Sequence, residues 1–209
     1  NSVDELKEVL IFAQEKNIAF FILGGGSNIL VSDKGFDGVV IKINIKGIEE
    51  KEGTFIVGAG ENWDHFVGYV VEQGWYGVEN LSLIPGSVGA APVQNIGAYG
   101  TEIKDTLEWV EVLNAETNTL EVLKKEECDS GYRDSIFKKP EGKKYIITRV
   151  AFQLKKEGTL ITEYKDVKDY IAKNNINVED LNLQKMRDIV IDIRTKKLPD
   201  IKKLGTAGS

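Results

Sequence analysis

The sequence predicts an α+β fold, and three observations carry that expectation. Apolar residues recur at helical spacing in some segments, as at Leu6, Val9, Leu10 and Ala13, while others are short apolar runs of strand length. The two kinds alternate through the first half without the regular strand–helix–strand repeat of a doubly wound parallel sheet. Two glycine-rich loops, residues 24–30 and 84–100, break the pattern where neither helix nor strand is expected.

Taken in order, Ser2 and Glu5 have the spacing of a capping box, so a helix is expected over residues 2–16. Ala19-Phe20-Phe21-Ile22-Leu23 is a continuous apolar run that suits a strand buried on both faces. It runs into Gly24-Gly25-Gly26-Ser27-Asn28, which is neither of two familiar phosphate motifs: no Gly-Lys-Ser/Thr follows, and the third glycine of a dinucleotide fingerprint is absent. Its consecutive N–H groups, with a hydroxyl and an amide, make either a pyrophosphate cradle or a plain turn. Residues 39–43 and 54–58 read as strands separated by a charged turn over 49–53, and Trp63, Phe66, Val67, Val70 and Val71 give an amphipathic helix closed by Gly74.

The second loop is the unusual one. Four glycines, three alanines, two prolines and no charge in the seventeen residues 84–100 leave nothing to serve water, so its main chain is offered to a ligand or packed tightly as structure. Beyond it, residues 107–113 and 119–123 resemble a hairpin, residues 145–154 a further strand, and residues 128–137 a polar loop with a single arginine, Arg133. From about residue 162 the chain turns helical, with Val167, Tyr170 and Ile171 on one face, and a second helix over 182–194 ends in Arg194, Lys196 and Lys197. Those cations complement the negative end of the helix dipole or form an anion site, and both readings stay open.

A net charge of -6 argues against a nucleic-acid partner, although Lys138-Lys139 and Lys196-Lys197 remain local anion contacts. No apolar run approaches the roughly eighteen residues of a membrane helix, so no membrane partner and a cytoplasmic location are expected. A single Cys precludes an internal disulfide, and a single His precludes metal sites built on paired imidazoles, so no metal is expected. His65 lies at a helix start far from any Gly-x-Ser-x-Gly elbow, and Cys128 has acidic neighbours, Glu126, Glu127 and Asp129, which disfavour a thiolate. Chemistry must then come from a cofactor or from Ser, Tyr, Lys, Arg and carboxylates.

Five blocks occurring together in this order, Gly24 to Asn28, residues 84–100, Gly131-Tyr132-Arg133-Asp134-Ser135, residues 194–200 and residues 205–209, resemble the UDP-N-acetylenolpyruvoylglucosamine reductases over essentially the whole chain. The resemblance implies a two-subdomain FAD-binding fold of the vanillyl-alcohol-oxidase kind over residues 1–155 and the start of a substrate-binding α+β domain over 156–209. It implies FAD held noncovalently by Gly24, Gly25, Gly26, Ser27 and Asn28 and by Ile84, Pro85, Gly86, Ser87, Gly89, Ala90, Asn95, Gly97, Ala98 and Tyr99. By the same likeness NADPH is the reductant and a UDP-sugar the substrate. Arg133 would stabilise charge developing on the reduced enolpyruvyl group, Ser209 would supply a proton, and Tyr132, Tyr164, Arg194 and Lys197 would contact the UDP-sugar. The family's catalytic glutamate is expected beyond Ser209, and the first strand or two of the flavin domain before residue 1, so these 209 residues alone should turn over poorly. The protein is expected to be a monomer. Two other readings are an FAD oxidase of the same fold acting on another small substrate, and a nucleotide-binding module without catalysis.

Overall fold

The computed structural model describes residues 1–199. The expected cap starts the first helix, α1 (Val3–Glu15): the Ser2 hydroxyl accepts from the Glu5 N–H, and the Glu5 carboxylate accepts from the Ser2 N–H. Leu6, Leu10 and Ala13 form its buried stripe. Strand β1 (Phe20–Leu23) follows and pairs in parallel with β2 (Val39–Lys42), with the first glycine-rich loop lying between them. The expectation that β1 is buried on both faces is not met. Among the described residues β1 has β2 as its sole neighbour, and Phe21 is 41% exposed.

The main sheet has five antiparallel strands in the order β3-β4-β9-β7-β8, where β3 is Ile48–Lys51, β4 Thr54–Gly58, β7 Leu107–Asn114, β8 Thr119–Lys124 and β9 Tyr145–Gln153. Residues 49–51, expected in a turn, belong to β3, and the turn narrows to Glu52 and Gly53, both at positive φ. That conformation matches the twist of a tight hairpin. Charged residues mislead there because β3 is an edge strand whose side chains face water. The β7–β8 hairpin and β9 lie where the sequence puts them.

Helix α2 (Trp63–Glu72) packs its apolar face on this sheet. The Trp63 and Phe66 rings lie 5.8 and 5.1 Å from Phe152 of β9, and Phe66 lies 6.1 Å from Phe55 of β4. All four rings are at most 1% exposed, and each contributes about 1.5–3 kcal/mol of burial. The Trp63 indole N–H donates to the Leu81 carbonyl at 2.8 Å, which ties the helix to the segment leading into the second loop.

That loop contains two single turns of 3₁₀ helix, Val88–Ala90 and Pro92–Gln94, and a minimal hairpin of β5 (Gly97–Ala98) and β6 (Thr101–Glu102). Helices α3 (Lys165–Lys173) and α4 (Leu183–Lys197) close the described chain; Tyr164 stands at the N-cap of the first, and the Asn182 side chain caps the second. Val167, Ile171, Met186, Ile189, Val190 and Ile193 form a second, smaller apolar cluster with Tyr99 of the loop. No described helix is long and apolar enough to cross a membrane, and among the described residues no group of three or more His, Cys, Asp or Glu is placed to hold a metal.

Candidate functional site

A cleft of about 830 Å³ lies between β1 and the second glycine-rich loop. Main chain builds its floor. A Cβ on Gly24 would fall 2.8 Å from the Ser87 hydroxyl, and one on Gly25 would fall 2.9 Å from the Gly86 Cα, so the two loops touch at a distance only glycine allows. Deeper in, Gly89 donates its N–H to the Ala59 carbonyl at 2.9 Å, and a Cβ there would meet the Ala59 methyl at 2.5 Å. Among the described residues the N–H groups of Gly24, Gly25, Gly26 and Ser27 are donated to no other residue. Four successive unengaged donors on an open wall suit an anion that can accept several bonds at once.

Gly24, Gly25, Gly26, Ser27 and Asn28 line one side of the cleft, and Ile84, Pro85, Ser87, Gly89 and Ala90 line the other. Gly86 stands behind them, at φ +125, packed on Gly25 and on the Ser27 hydroxyl. Gln94 of the second loop and Lys138 also line the cleft, together with Lys143 and Tyr145, which the sequence did not single out. Gln94 accepts from the Asn28 amide at 3.2 Å and so bridges the two loops.

Asn95, Gly97, Ala98 and Tyr99, expected with the residues above, do not line this cleft. The Asn95 side chain is wholly buried and internally bonded: its amide donates to Glu102 Oε2 at 3.0 Å and to the Gly131 carbonyl at 2.8 Å, while its Oδ1 accepts from the Lys104 N–H at 3.0 Å. It has no face left for a ligand, which corrects the expectation of a cofactor contact. Gly97 receives Arg133. One guanidinium nitrogen, Nη2, donates to the Gly97 carbonyl at 2.8 Å, and a Cβ on Gly97 would come within 3.2 Å of the other, Nη1, so the fit of Arg133 depends on the glycine. Arg133 itself stands at φ +53, with its carbonyl accepting from Lys138 Nζ at 2.7 Å. Its guanidinium also lies 5.4 Å from the ring centre of Tyr132, which is 82% exposed.

The remaining expected contacts gather where α3 and α4 meet the loop. Tyr164 is half-exposed and packs edge-on against Tyr99, with ring centres 5.4 Å apart. Lys197 is exposed and pairs with Asp166 at 2.6 Å. Arg194, expected at the substrate, is buried instead: its Nε donates to the Leu83 carbonyl at 3.2 Å, and its charge acts on the Tyr99 hydroxyl. It fastens helix α4 to the start of the loop. Burial pushes the Tyr99 hydroxyl above its usual range, against the opposing effect of Arg194. Ser209 lies outside the described residues.

The loop entrance is held by charge on both sides. Leu83, at φ +58, donates its N–H to Asp64 Oδ1 at 2.5 Å. Asp64 in turn receives Arg187 of α4 through two bonds of 2.7 and 3.1 Å. Burial pushes the Asp64 carboxyl up, but Arg187 and the Leu83 N–H more than offset it and hold the group below the usual carboxylate range. Cys128 is fully buried, and burial, with Glu127 and Glu126 adding, pushes its thiol up to about 12. His65, on the exposed side of α2, has no part in the cleft.

Residues 1–123 match the FAD binding domain family. The chain is 46% identical to a UDP-N-acetylenolpyruvoylglucosamine reductase of Flavobacterium johnsoniae, over 100% of this chain and 62% of that relative. It is 42% identical to the protein of the same name from Bdellovibrio bacteriovorus, over 98% and 61%. A crystal structure of UDP-N-acetylenolpyruvylglucosamine reductase from Thermus caldophilus superimposes with a TM-score of 0.65 at 27% identity, over 95% of this chain and 62% of that one. The chain thus spans about three fifths of the length of the curated relatives it matches.

Proposed function

The chain belongs to the FAD binding domain family, and from that premise we propose that it carries the flavin-binding region, residues 1–155, and the beginning of the substrate-binding region, residues 156–209, of a UDP-N-acetylenolpyruvoylglucosamine reductase. In this reading the whole protein uses NADPH to reduce the enolpyruvyl group of its UDP-sugar, giving UDP-N-acetylmuramate for peptidoglycan precursor synthesis, as a monomer in the cytoplasm. The observation that carries it is the row of unengaged N–H groups from Gly24 to Ser27, in a segment that lines a cleft whose opposite wall is the uncharged loop.

The residues present fit FAD. A diphosphate needs several donors that approach closely without carrying bulk, and glycine N–H groups supply them. The apolar walls from Phe20 to Leu23 and from Ala90 to Val93 suit a planar ring, while Lys138 and Lys143 at the rim add positive charge. When bound, FAD supplies hydride transfer from NADPH to the substrate.

Arg133 then has a defined task. Reduction of an enolpyruvyl group places negative charge on the carboxylate side of the substrate, and a guanidinium already anchored on Gly97 meets that charge without reorganising. Ser209 is assigned the proton donated to the resulting carbanion-like centre. Tyr132, Tyr164 and Lys197 are assigned to the UDP-sugar, since all three are exposed and Lys197 offers a point charge to a diphosphate. Arg194 and Asn95 have structural tasks instead.

The test uses the full-length protein. Purified, it should show flavin bands in the visible spectrum and oxidise NADPH only when the enolpyruvyl UDP-sugar is added; Arg133→Ala should keep the bands and lose the turnover. Reduced flavin that is reoxidised rapidly by oxygen and ignores the UDP-sugar would assign the fold to an oxidase, and a protein with no flavin bands would overturn the reading.

A further inference from the structure

The loop that carries Arg133 has few bonds of its own. Gly131 and Asp134 exchange N–H···O bonds of 3.0 and 3.3 Å, pinching Tyr132 and Arg133 into a tight excursion. Apart from the Lys138 bond to the Arg133 carbonyl, what locates this excursion is the second glycine-rich loop. Three alternate residues reach across to it: the Gly131 carbonyl accepts from the Asn95 amide at 2.8 Å, Arg133 donates to the Gly97 carbonyl at 2.8 Å, and the Ser135 hydroxyl donates to the Val93 carbonyl at 2.7 Å. Of the three partners on the second loop, two are main-chain carbonyls. Asn95 alone contributes a side chain.

Asn95 does more than close one bond. The same Nδ2 group also donates to Glu102, whose carboxylate pairs with Lys104 at 2.5 Å and is held below the usual carboxylate range mainly by Lys104, with Arg133 adding. Through Gly97 the two groups become neighbours. A Cβ on that residue would lie 2.9 Å from Glu102 Cγ and 3.2 Å from Arg133 Nη1, so the Glu102 stem and the guanidinium crowd the same glycine. Asn95 bonds to Glu102 on one flank and to Gly131, two residues before Arg133, on the other, and it does so from φ +44, a conformation asparagine adopts more readily than other non-glycine residues.

We infer that Asn95 is a positioning residue for Arg133: it sets the height of the Arg133 loop through Gly131 and holds Glu102 beside the guanidinium through the same amide. This rests on the function proposed for Arg133. A guanidinium that meets charge only as the reaction proceeds is sensitive to placement, and an error of about 1 Å at a reacting centre can cost about 100-fold. Flavin binding, served by the other end of the loop, should be indifferent to the change.

Two variants of the full-length holoenzyme test this, Asn95→Asp and Asn95→Gly. Both accept the left-handed conformation; Asp keeps the acceptor for the Lys104 N–H and loses both donors, and Gly loses all three bonds. Rapid mixing separates the half-reactions. Flavin content and flavin reduction by NADPH should stay within about twofold of the parent, while reoxidation by the enolpyruvyl UDP-sugar should slow by about 10- to 100-fold, expressed in the rate and not in the half-saturating concentration. Amide hydrogen exchange of residues 131–135, measured without cofactor or substrate, should rise in both variants. Reoxidation unchanged in a folded variant would overturn the inference, as would equal loss of both half-reactions together with flavin. A parent that is not reoxidised by the UDP-sugar at all would overturn the function beneath it, whereas unchanged exchange at 131–135 would sink the tie from Asn95 alone.

Discussion

Replacing Asp64 by alanine should cost far more than an ordinary polar substitution, although the residue touches no part of the cleft. Asp64 carries two loads. It pairs with Arg187 through two bonds, with side-chain exposures of 26% and 13%, and it accepts the N–H of Leu83, a leucine held at left-handed φ. Breaking a fully buried ion pair costs about 3–5 kcal/mol, and the partial exposure here discounts that to about 2 kcal/mol. Loss of the charge-assisted bond to Leu83 adds about 1 kcal/mol, because the left-handed leucine then has only the Arg194 contact on its carbonyl. A total of about 3 kcal/mol corresponds to a fall in Tm of about 6–12 °C for a chain of this length. Urea denaturation of these 209 residues would measure it. Leu83→Gly in the Asp64→Ala background should return about 1 kcal/mol, since glycine takes this conformation without strain. A loss below about 0.5 kcal/mol, typical of an ordinary surface change, would refute the reasoning. The pH dependence has a definite sign. With the folded carboxyl held below its unfolded value of about 3.9, the stabilisation is complete above that pH and disappears as pH falls through the lower folded value, so wild type should lose more stability than Asp64→Ala below about pH 4.

Gly89→Ala should destabilise by about 1–3 kcal/mol, measured by denaturation, because its methyl would sit 2.5 Å from Ala59 in a fully packed spot. Gly25→Ala should separate the two loops that wall the cleft and weaken FAD binding with little loss of fold, which a flavin titration of the full-length protein followed beside circular dichroism would read. Cys128 should resist a thiol reagent at pH 8 in the folded protein and react fully once denaturant is added, given its burial and a thiol pushed up to about 12.

Local signals were legible in the residues, and partners were not. The Ser2 cap, the α2 stripe and the β7–β8 hairpin depend on neighbours within a few positions, and they lie where spacing places them. Phe21 reads as core because its run is apolar, yet its exposure follows from which strands pair with β1, a property no local window contains. Asn95 and Arg194 fail for the same reason. Each carries a polar side chain suited to a ligand, and each is claimed by a partner far along the chain, Gly131 in one case and Leu83 in the other. Asp64 and Asn80 give no signal at all in sequence, although Asn80 binds the carbonyls of Tyr99 and Ile161 and so fastens the loop to the segment leading into α3. Only the polar residue after Pro92-Val93-Gln94, two before Gly97, hints that position 95 needs a residue able to take positive φ.

Backbone strain marks the same region. Asn17, Glu52, Asn118 and Asn175 also take positive φ, but as turn residues beside helices and hairpins, where three of the four are asparagines. Leu83, Tyr99 and Arg133 are different, since none is a residue that turns favour, and each costs on the order of 1 kcal/mol or more to hold there. Each is clamped by a side chain from elsewhere: Leu83 between Asp64 and Arg194, Tyr99 at its carbonyl by Asn80, and Arg133 at its carbonyl by Lys138. The clamps come from α2, α4, the turn before the loop and the segment after Arg133, so the strained backbone is held only when all these elements are docked. Arg133 is anchored by its planar guanidinium on the Gly97 carbonyl, a geometry an ammonium does not reproduce, so Arg133→Lys should keep the charge and still not recover its effect.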